Sequence, residues 1–275
     1  MRRTSTYRSV GIFILVVIAL SLSFYPIYWV LQLSMKSHVE AFKFPPSWIF
    51  KPSFGNYQRL FAGTDFPKRL LNSLIVASLS TIFALAVGTP AAYVFSRKKF
   101  KYKNLLLLLV LTSRMIPPVV FILPYFMVYI NIGLIDTRVG LILIYVTFSL
   151  GLVVWSMWTF FDEIPTELDE AAEVDGASVL QTIWKVILPV AVAGLASTGI
   201  LCFIMAWNDF IFALVLTRTN AVTAPVEITK AMAYEAEDIG LMTSGSLVVS
   251  FPALLFAVIT RKYLRKGVLG GAVKE

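Results

Sequence analysis

Residues 139–161 read VGLILIYVTFSLGLVVWSMWTFF, a run of 23 positions without a charged side chain. A bilayer core about 30 Å thick needs about 20 helical residues at about 1.5 Å each, so this run is long enough to cross a membrane as one helix. Seven carboxylates follow within 14 residues, in DEIPTELDEAAEVD at 162–175. The two segments together predict a membrane helix that ends in a solvent-exposed loop.

Five further stretches have the length and the apolar character of membrane helices. They are residues 9–35, 70–96, 104–135 (containing Arg114), 186–217 (containing Asp209) and 239–260. The whole chain is 58% hydrophobic and 15% charged, whereas soluble domains are about 45–50% apolar and about 25% charged. This composition excludes a soluble enzyme and a disordered chain. It predicts an all-α integral membrane protein, a single membrane domain over 1–275 with six transmembrane helices.

The distribution of basic residues predicts the orientation in the membrane. The two termini and the even-numbered loops together carry 14 Lys and Arg residues, and the odd-numbered loops carry 9. Cytoplasmic loops of membrane proteins are enriched in Lys and Arg. We therefore expect both termini, the basic loop at 97–103 and the acidic loop at 162–185 to be cytoplasmic. The net charge of +8 then indicates membrane anchoring, with the lipid bilayer and not nucleic acid as the partner.

Several classes of chemistry lack the residues they need. The chain has one histidine, His38, and one cysteine, Cys202, so neither a metal site nor a catalytic triad is expected. It contains no Gly-Lys dipeptide and therefore no Walker A loop. We predict no catalytic residue and no cofactor in this chain. Any ATP hydrolysis, with its ATP and Mg, belongs to another chain. If the chain is a transporter, the alternative to transport driven by ATP hydrolysis on another chain is ion-coupled secondary transport, although Arg114 and Asp209 are few charges for an ion relay.

The acidic loop (162–185) has the sequence pattern of two short helices separated by a glycine. Thr166 and Asp169 have the spacing of a capping box, in which each residue satisfies a backbone N–H of the other. Ser178 and Gln181 repeat this spacing. Gly176 lies between the two helices, where a left-handed residue is often needed to end the first one. The small side chains at 171–172 allow another protein to approach this first helix closely.

The spacing of this loop resembles the Glu-Ala-Ala motif of the membrane subunits of ATP-binding-cassette importers. Three residues separate the Glu-Ala-Ala triplet from a glycine, and nine more precede an aliphatic position that is Val186 here and often Ile in the family. The matching residues are Glu170, Ala171, Ala172, Asp175, Gly176, Ala177, Leu188 and Pro189. The resemblance implies that this loop is a coupling helix that docks in a cleft of an ATPase subunit.

The resemblance also implies a fold and a set of partners. The fold is that of a type I importer permease, with a core permease region at 70–262. The partners are a second homologous permease, two ATPase subunits and an extracytoplasmic sugar-binding protein. The location is the cytoplasmic membrane of a bacterium or archaeon. Stretches similar to the carbohydrate branch of the family are FPPSW at 44–48, NY at 56–57, NS at 72–73, WND at 207–209 and GGAVK at 270–274.

Two further groups of residues are candidates for contact with the transported molecule or its carrier. Arg114, Asn208 and Asp209 lie inside predicted spans, where a role in the pathway or a gate competes with a structural pairing, including one between Arg114 and Asp209. In the maltose-type family an outer loop enters the sugar cleft of the binding protein. The residues in the equivalent position are Thr219, Asn220, Ala221, Val222, Thr223 and Ala224; the alternative is a plain connector.

Overall fold

A computed structural model describes residues 3–113, 115–234 and 238–271. Within these ranges the regular structure is helical, as predicted. The helices are α1 (Arg3–Met35), α2 (His38–Ala41), α3 (Gly55–Ala62), α4 (Phe66–Arg97), α5 (Lys103–Ser113), a 3-10 turn (Pro118–Phe121), α6 (Ile122–Asn131), α7 (Arg138–Asp162), α8 (Glu167–Val174), α9 (Val179–Gln181), a π-helical segment (Thr182–Ile187), α10 (Leu188–Val190), α11 (Val192–Trp207), α12 (Ile211–Leu216), α13 (Ala224–Tyr234) and α14 (Ile239–Gly271).

Among the described residues, four helices are long and apolar enough to cross a membrane: α1, α4, α7 and the first part of α14. A fifth span is bent, because Val179–Val190 meets α11 at an angle of 87°. The predicted span at 104–135 is divided into two shorter apolar helices, Lys103–Thr112 and Pro118–Asn131. The proline pair at 117–118 explains this division, since proline lacks an N–H and disfavours helical geometry at the residue before it.

The predicted spans 104–135 and 186–217 are both interrupted. Hydrogen bonds at the two ends of α4 show that each of them still extends along the full length of α4. Asn72, near its start, contacts Arg138 at the start of α7 and the carbonyl of Asn220. Arg97, at its end, contacts Asp169 just beyond α7. Residues 72 and 97 are 25 positions apart in α4, which is about 37 Å of helix, longer than a bilayer core of about 30 Å. The chain therefore passes from one end of α4 to the other within 98–137, and again within 170–219.

Tertiary contacts divide the chain into two compact units, Met1–Pro67 with Glu227–Ser250 and Lys68–Val226 with Phe251–Glu275. In the first unit, Asn56 joins the end of α1 to α3 by donating from its amide nitrogen to the carbonyls of Ser34 and Lys36, each at 2.9 Å. An ion pair also links Arg59 in α3 to Asp238, at 2.5 Å. Polar contacts thus fix the loops beside the apolar helix α1.

In the second unit, α7 lies against α4 and α11, and the core is continuous with the acidic loop. Gly194 allows α11 to approach α7 closely, because a Cβ atom there would lie 2.5 Å from the ring of Phe160. The buried cluster contains side chains from α4, α7, the π-helical segment and α10: Ala84, Tyr93, Val153, Met157, Phe161, Ile183, Ile187 and Leu188. The residues that follow the acidic helix are therefore packed into the same core as the membrane helices.

Candidate functional site

The first helix of the acidic loop, α8, presents the Glu-Ala-Ala triplet with two residues outward and one inward. Glu170 and Ala171 are exposed, and Ala172 is buried. Three acidic side chains occupy the first turn of α8. They favour the helix because the N-terminal end of a helix carries a partial positive charge. The exposed face of α8 consequently combines one small side chain, Ala171, with carboxylates and with the apolar Leu168 and Val174.

The helix α8 ends at Val174, and Gly176 forms the turn that stops it, as predicted. Gly176 has a φ of +77°, which a residue with a side chain adopts only at a cost. Its N–H donates to the carbonyl of Glu173 at 3.0 Å, and the N–H of Ala177 donates to the carbonyl of Ala172 at 2.9 Å. These two bonds are those of a Schellman motif with glycine at its left-handed position. The turn after Asp175 is therefore fixed by backbone geometry.

One of the two predicted capping boxes is confirmed and the other is wrong. The hydroxyl of Ser178 accepts from the N–H of Gln181, and the side chain of Gln181 accepts from the N–H of Ser178. Thr166, within the described loop, makes no side-chain cap hydrogen bond. The carboxylate of Asp169 is turned away from the helix start and accepts from Arg97 and Tyr93 instead. A guanidinium and a phenol held against one carboxylate outcompete a single backbone N–H.

The second helix of the loop reaches the fifth span through a corner. The path from Ser178 to the span is divided into α9, the π-helical segment and α10. The π-helical segment ends immediately before Leu188 and Pro189, and the ring of a proline conflicts with the carbonyl four residues earlier, so wider turns relieve the crowding. Leu188 is buried in the core cluster. The bend of 87° follows at once, so the loop and the span meet at a fixed angle.

Asp209 lies in the break between α11 and α12, where a tyrosine satisfies it. Its Oδ1 accepts from the hydroxyl of Tyr145 at 2.7 Å and from the N–H of Ala213 at 3.3 Å. The neighbouring Asn208 is exposed. Arg114 lies outside the described residues, so the pairing of Arg114 with Asp209 stays a prediction. The carboxylate thus has a structural partner that the sequence did not suggest.

An aromatic pocket of about 260 Å³ lies next to this break. Its lining residues are Ile116, Pro118, Phe121, Tyr125, Thr147, Phe148 and Met205. A smaller pocket of about 90 Å³ shares Pro118, Phe148 and Met205 with it and is also lined by Asp209. The interrupted spans 104–135 and 186–217 therefore leave space beside the half-buried carboxylate of Asp209, and aromatic and proline rings form much of its boundary.

The segment predicted to contact the binding protein is mostly interior. Ala221, Val222, Thr223 and Ala224 are between 0 and 4% exposed. Asn72 donates to the carbonyls of Asn220 and Val222, each at 2.9 Å. Residues 221–224 are therefore packed against and bonded to α4, and the contact of this segment with a binding protein stays a prediction. Thr219 and Asn220 remain on the surface.

Asp136 organises this segment, and the sequence reasoning missed it. Its carboxylate accepts the backbone N–H groups of 218–221 at distances from 2.9 to 3.1 Å. Burial raises the pKa of Asp136, but these four backbone donors outweigh burial and leave the pKa well below its usual range. Asp136 itself has a positive φ of 57°, which Asp tolerates better than most residues. Its partners are more than 80 positions away, so only this local preference could have drawn attention to it.

Comparisons with known proteins agree with this architecture. Residues 71–266 match the family model described as binding-protein-dependent transport system inner membrane component. The trehalose transport system permease protein SugB of Mycobacterium tuberculosis is 40% identical over 90% of this chain and 92% of its own length. The trehalose/maltose transport system permease protein MalG of Thermococcus litoralis is 33% identical over 91% of each chain.

A solved structure has a similar fold. One chain of a bacterial ABC transporter involved in the import of the acidic polysaccharide alginate aligns with a TM-score of 0.80 at 22% identity, covering 96% of this chain and 98% of that one. The likeness extends over the acidic loop as well as the membrane helices, because nearly the whole chain is aligned. The resemblance stated from the Glu-Ala-Ala spacing is therefore confirmed, and this chain belongs to the family of binding-protein-dependent transport system inner membrane components.

Proposed function

We propose that this chain is one permease subunit of an ATP-driven importer that takes up a carbohydrate with the help of an extracytoplasmic binding protein. The observation that carries the proposal is the geometry of α8, whose exposed face holds Glu170 and Ala171 while Ala172 anchors it to the core. Relatives named for trehalose and for trehalose/maltose transport favour a di- or oligosaccharide as the substrate class.

The proposed division of labour assigns ATP and magnesium to two separate ATPase subunits. These subunits grip α8 and the turn at Gly176, and their closure moves the membrane helices as rigid bodies. A second, homologous permease faces this one, and the substrate passes between the two by alternating access. Asn208, Asp209 and Arg114 are proposed to border that path. Thr219 and Asn220 are the proposed contact with the binding protein.

The proposed orientation has both termini and the acidic loop in the cytoplasm. The excess of Lys and Arg in the even-numbered loops supports it. The bacterial or archaeal inner membrane is the proposed location, in agreement with the family description. An ion-coupled secondary transporter is disfavoured by the family match, and the engagement of Asp209 by Tyr145 leaves that carboxylate less suited to an ion relay.

The decisive experiment is reconstitution of the purified native complex in liposomes. We expect a P-loop ATPase and a second six-helix permease to copurify in mild detergent, and radiolabelled trehalose or maltose to accumulate only with ATP and a binding protein. Gly176→Pro should lose the ATPase, because proline cannot adopt a φ of +77° and lacks the N–H that donates to Glu173.

A matched control is Gly133→Pro, at a second glycine with positive φ outside the acidic loop. This variant should keep the ATPase, since Gly133 lies in the loop after α6. Uptake driven by an ion gradient without ATP would overturn the proposal in favour of a secondary transporter. ATP-driven uptake of another substrate class, with both sugars refused, would overturn only the assignment of carbohydrate.

A further inference from the structure

One of the seven carboxylates of the acidic loop is turned away from solvent. The side chain of Asp169 is 17% exposed, and its partner Arg97 is 9% exposed. The remaining six, all within the described loop, are exposed: Asp162, Glu163, Glu167, Glu170, Glu173 and Asp175. A row of exposed acids suits a docking surface, whereas a half-buried ion pair needs a different explanation, because isolating charges from water is costly unless they are well bonded.

Asp169 is bonded through both of its oxygens to the last turn of α4. Arg97 donates from Nε to Oδ2 at 2.7 Å, and the hydroxyl of Tyr93 donates to Oδ1 at 2.5 Å. Arg97 also donates from Nη2 to the carbonyl of Ile164 at 2.8 Å. A single guanidinium thus holds both α8 and the turn that leads into it. We call Tyr93, Arg97 and Asp169 the Arg97 clasp.

The α4 side of the Arg97 clasp is itself rigid. Tyr93 and Arg97 are four residues apart, so they lie on the same face of α4. Tyr93 is 5% exposed and packs edge-on against Phe161 of α7, with ring centroids 6.1 Å apart. The phenol and the guanidinium have little freedom to follow α8 without moving their own helix. Any displacement of α8 along this contact is therefore passed to α4.

Besides the short turn at 163–166 that joins α7 to α8, two physical links run from α8 into the membrane helices. One passes through the π-helical segment and the 87° corner at Pro189 into α11. The other passes through the Arg97 clasp into α4. The first link contains irregular helix and a sharp bend, whereas the second is a direct set of charge-assisted hydrogen bonds, which are shorter and stronger than neutral ones.

We propose that Tyr93, Arg97 and Asp169 are positioning residues that transmit the movement of α8 to α4, so that ATP-driven displacement reaches this span directly. The inference rests on the proposed function, in which an ATPase moves α8. Breaking the Arg97 clasp leaves the exposed docking face of α8 intact. The ATPase then still binds and hydrolyses ATP, but fewer substrate molecules cross for each ATP consumed.

The test uses the complete transporter in liposomes and measures uptake of trehalose or maltose per ATP hydrolysed. Arg97→Met should lower this ratio by at least about tenfold with the ATPase still bound, since it removes both charge-assisted bonds from α8 and its turn. Tyr93→Phe should lower it less, because it removes one bond. Lys98→Met is the matched control, since Lys98 is the adjacent exposed cation, and its ratio should equal that of the wild type.

Exchanging the two charges tests whether the loss of uptake per ATP comes from the broken ion pair or from a general disturbance of the structure. Combining Arg97→Asp with Asp169→Arg should recover most of the ratio that each single change loses, because the pair is restored in reverse. If Arg97→Met does not assemble, Tyr93→Phe decides the question. An unchanged ratio in an assembled Arg97→Met or Tyr93→Phe variant overturns the inference. Absence of ATP-driven uptake of both sugars by the wild-type complex would contradict the proposed function. Normal wild-type uptake with an unchanged ratio in the variants would contradict only the role of the Arg97 clasp.

Discussion

Asp136 and Asp169 illustrate how single side chains in short connections fix the ends of the membrane helices. Asp169 accepts from residues 72 and 76 positions earlier, and Asp136 accepts from residues 82 to 85 positions later. Both carboxylates accept hydrogen bonds from residues that are distant in the sequence. Asp169 does not form the predicted capping box with Thr166, and Asp136 adopts a positive φ. A short acidic side chain can do this because its two oxygens accept several donors without a bulky stem.

Replacing Asp136 by Asn tests how firmly the outer segment is held. One carboxylate oxygen pair becomes an amide with a single acceptor oxygen, so the N–H groups of 218–221 lose part of their bonding. Because Asp136 is near solvent, water replaces some of the loss, and we expect a destabilisation of about 1 kcal/mol at neutral pH. The thermal midpoint of the detergent-solubilised complex should fall, whereas Asp162→Asn, at an exposed carboxylate, should leave it unchanged.

The same variant gives a pH dependence with a definite sign. The pKa of Asp136 is lowered in the folded chain, so its stabilisation is complete above the unfolded value of about 3.9 and is lost as the pH falls further, toward the folded value. The difference in thermal midpoint between wild type and Asp136→Asn should be constant between about pH 5 and pH 7 and shrink below about pH 4. A difference that grows on acidification would contradict the assignment of the carboxylate as the acceptor.

At the scale of elements, the sequence predicted what depends on local chemistry and missed what depends on distant partners. Gly176 and the Ser178–Gln181 box were predicted because their partners lie within three or four residues. The spans were predicted because apolar length is a local property. The division of helix 104–135, the corner after Pro189 and the inward turn of Asp169 depend on packing between helices, which one sequence pattern does not encode.

Substitutions at Gly176 should weaken binding of the ATPase according to how poorly the new residue adopts a positive φ. No atom lies within 4 Å of a Cβ placed there, so the cost is purely that of a φ of +77°. Gly176→Asn should retain the ATPase, because Asn visits the left-handed region readily, whereas Gly176→Val should weaken its binding, since left-handed geometry costs about 1–2 kcal/mol or more for a branched residue. Copurification of the ATPase at graded detergent concentration measures this order, and equal retention by both variants would contradict it.

The break between α11 and α12 should depend on the hydroxyl of Tyr145. Tyr145→Phe removes the donor at 2.7 Å from Asp209 and should destabilise the complex by about 1–3 kcal/mol, since the half-buried carboxylate is left with the backbone alone. Adding Asp209→Asn to Tyr145→Phe should cost little more, because the interaction is already lost. Tyr25→Phe, at an exposed ring of α1, is the control for the thermal midpoint. Additive losses in the double variant would show that the two groups act independently.

At the scale of the molecule, the hydrogen bonds sort the helix ends of the second unit into two sets. One set joins the end of α4, the end of α7 and α8. The other joins the start of α4, the start of α7 and the segment after α12. If every predicted span crosses the membrane, successive loops lie on opposite sides of it. The two sets agree with this expectation, since the even-numbered loops fall in the first set and the odd-numbered loops in the second. The geometry fixes which loops share a side, and the Lys and Arg bias proposes which side is the cytoplasm.

Cysteine accessibility tests both statements in one experiment, because Cys202 is buried and is the chain's one thiol. In a Cys202→Ala background, single exposed positions are replaced by cysteine and treated with a membrane-impermeant maleimide. Lys101→Cys and Glu163→Cys should react only after the membrane is permeabilised, whereas Lys51→Cys and Asn131→Cys should react in intact cells. All four positions are exposed, so a failure to react reports the membrane and not burial.

The outcomes separate the orientation from the fold. A complete reversal of the pattern would contradict the proposed orientation while leaving the two sets of helix ends intact. Equal reactivity of Lys101→Cys and Asn131→Cys would contradict the passage of 98–137 along the whole of α4, because the two positions lie toward opposite ends of that passage. Such a result would also conflict with the bond between Arg138 and Asn72, which holds the start of α7 at the opposite end of α4 from Arg97. The expected pattern requires that the two short helices of 104–135 together cross the membrane although neither is long enough alone.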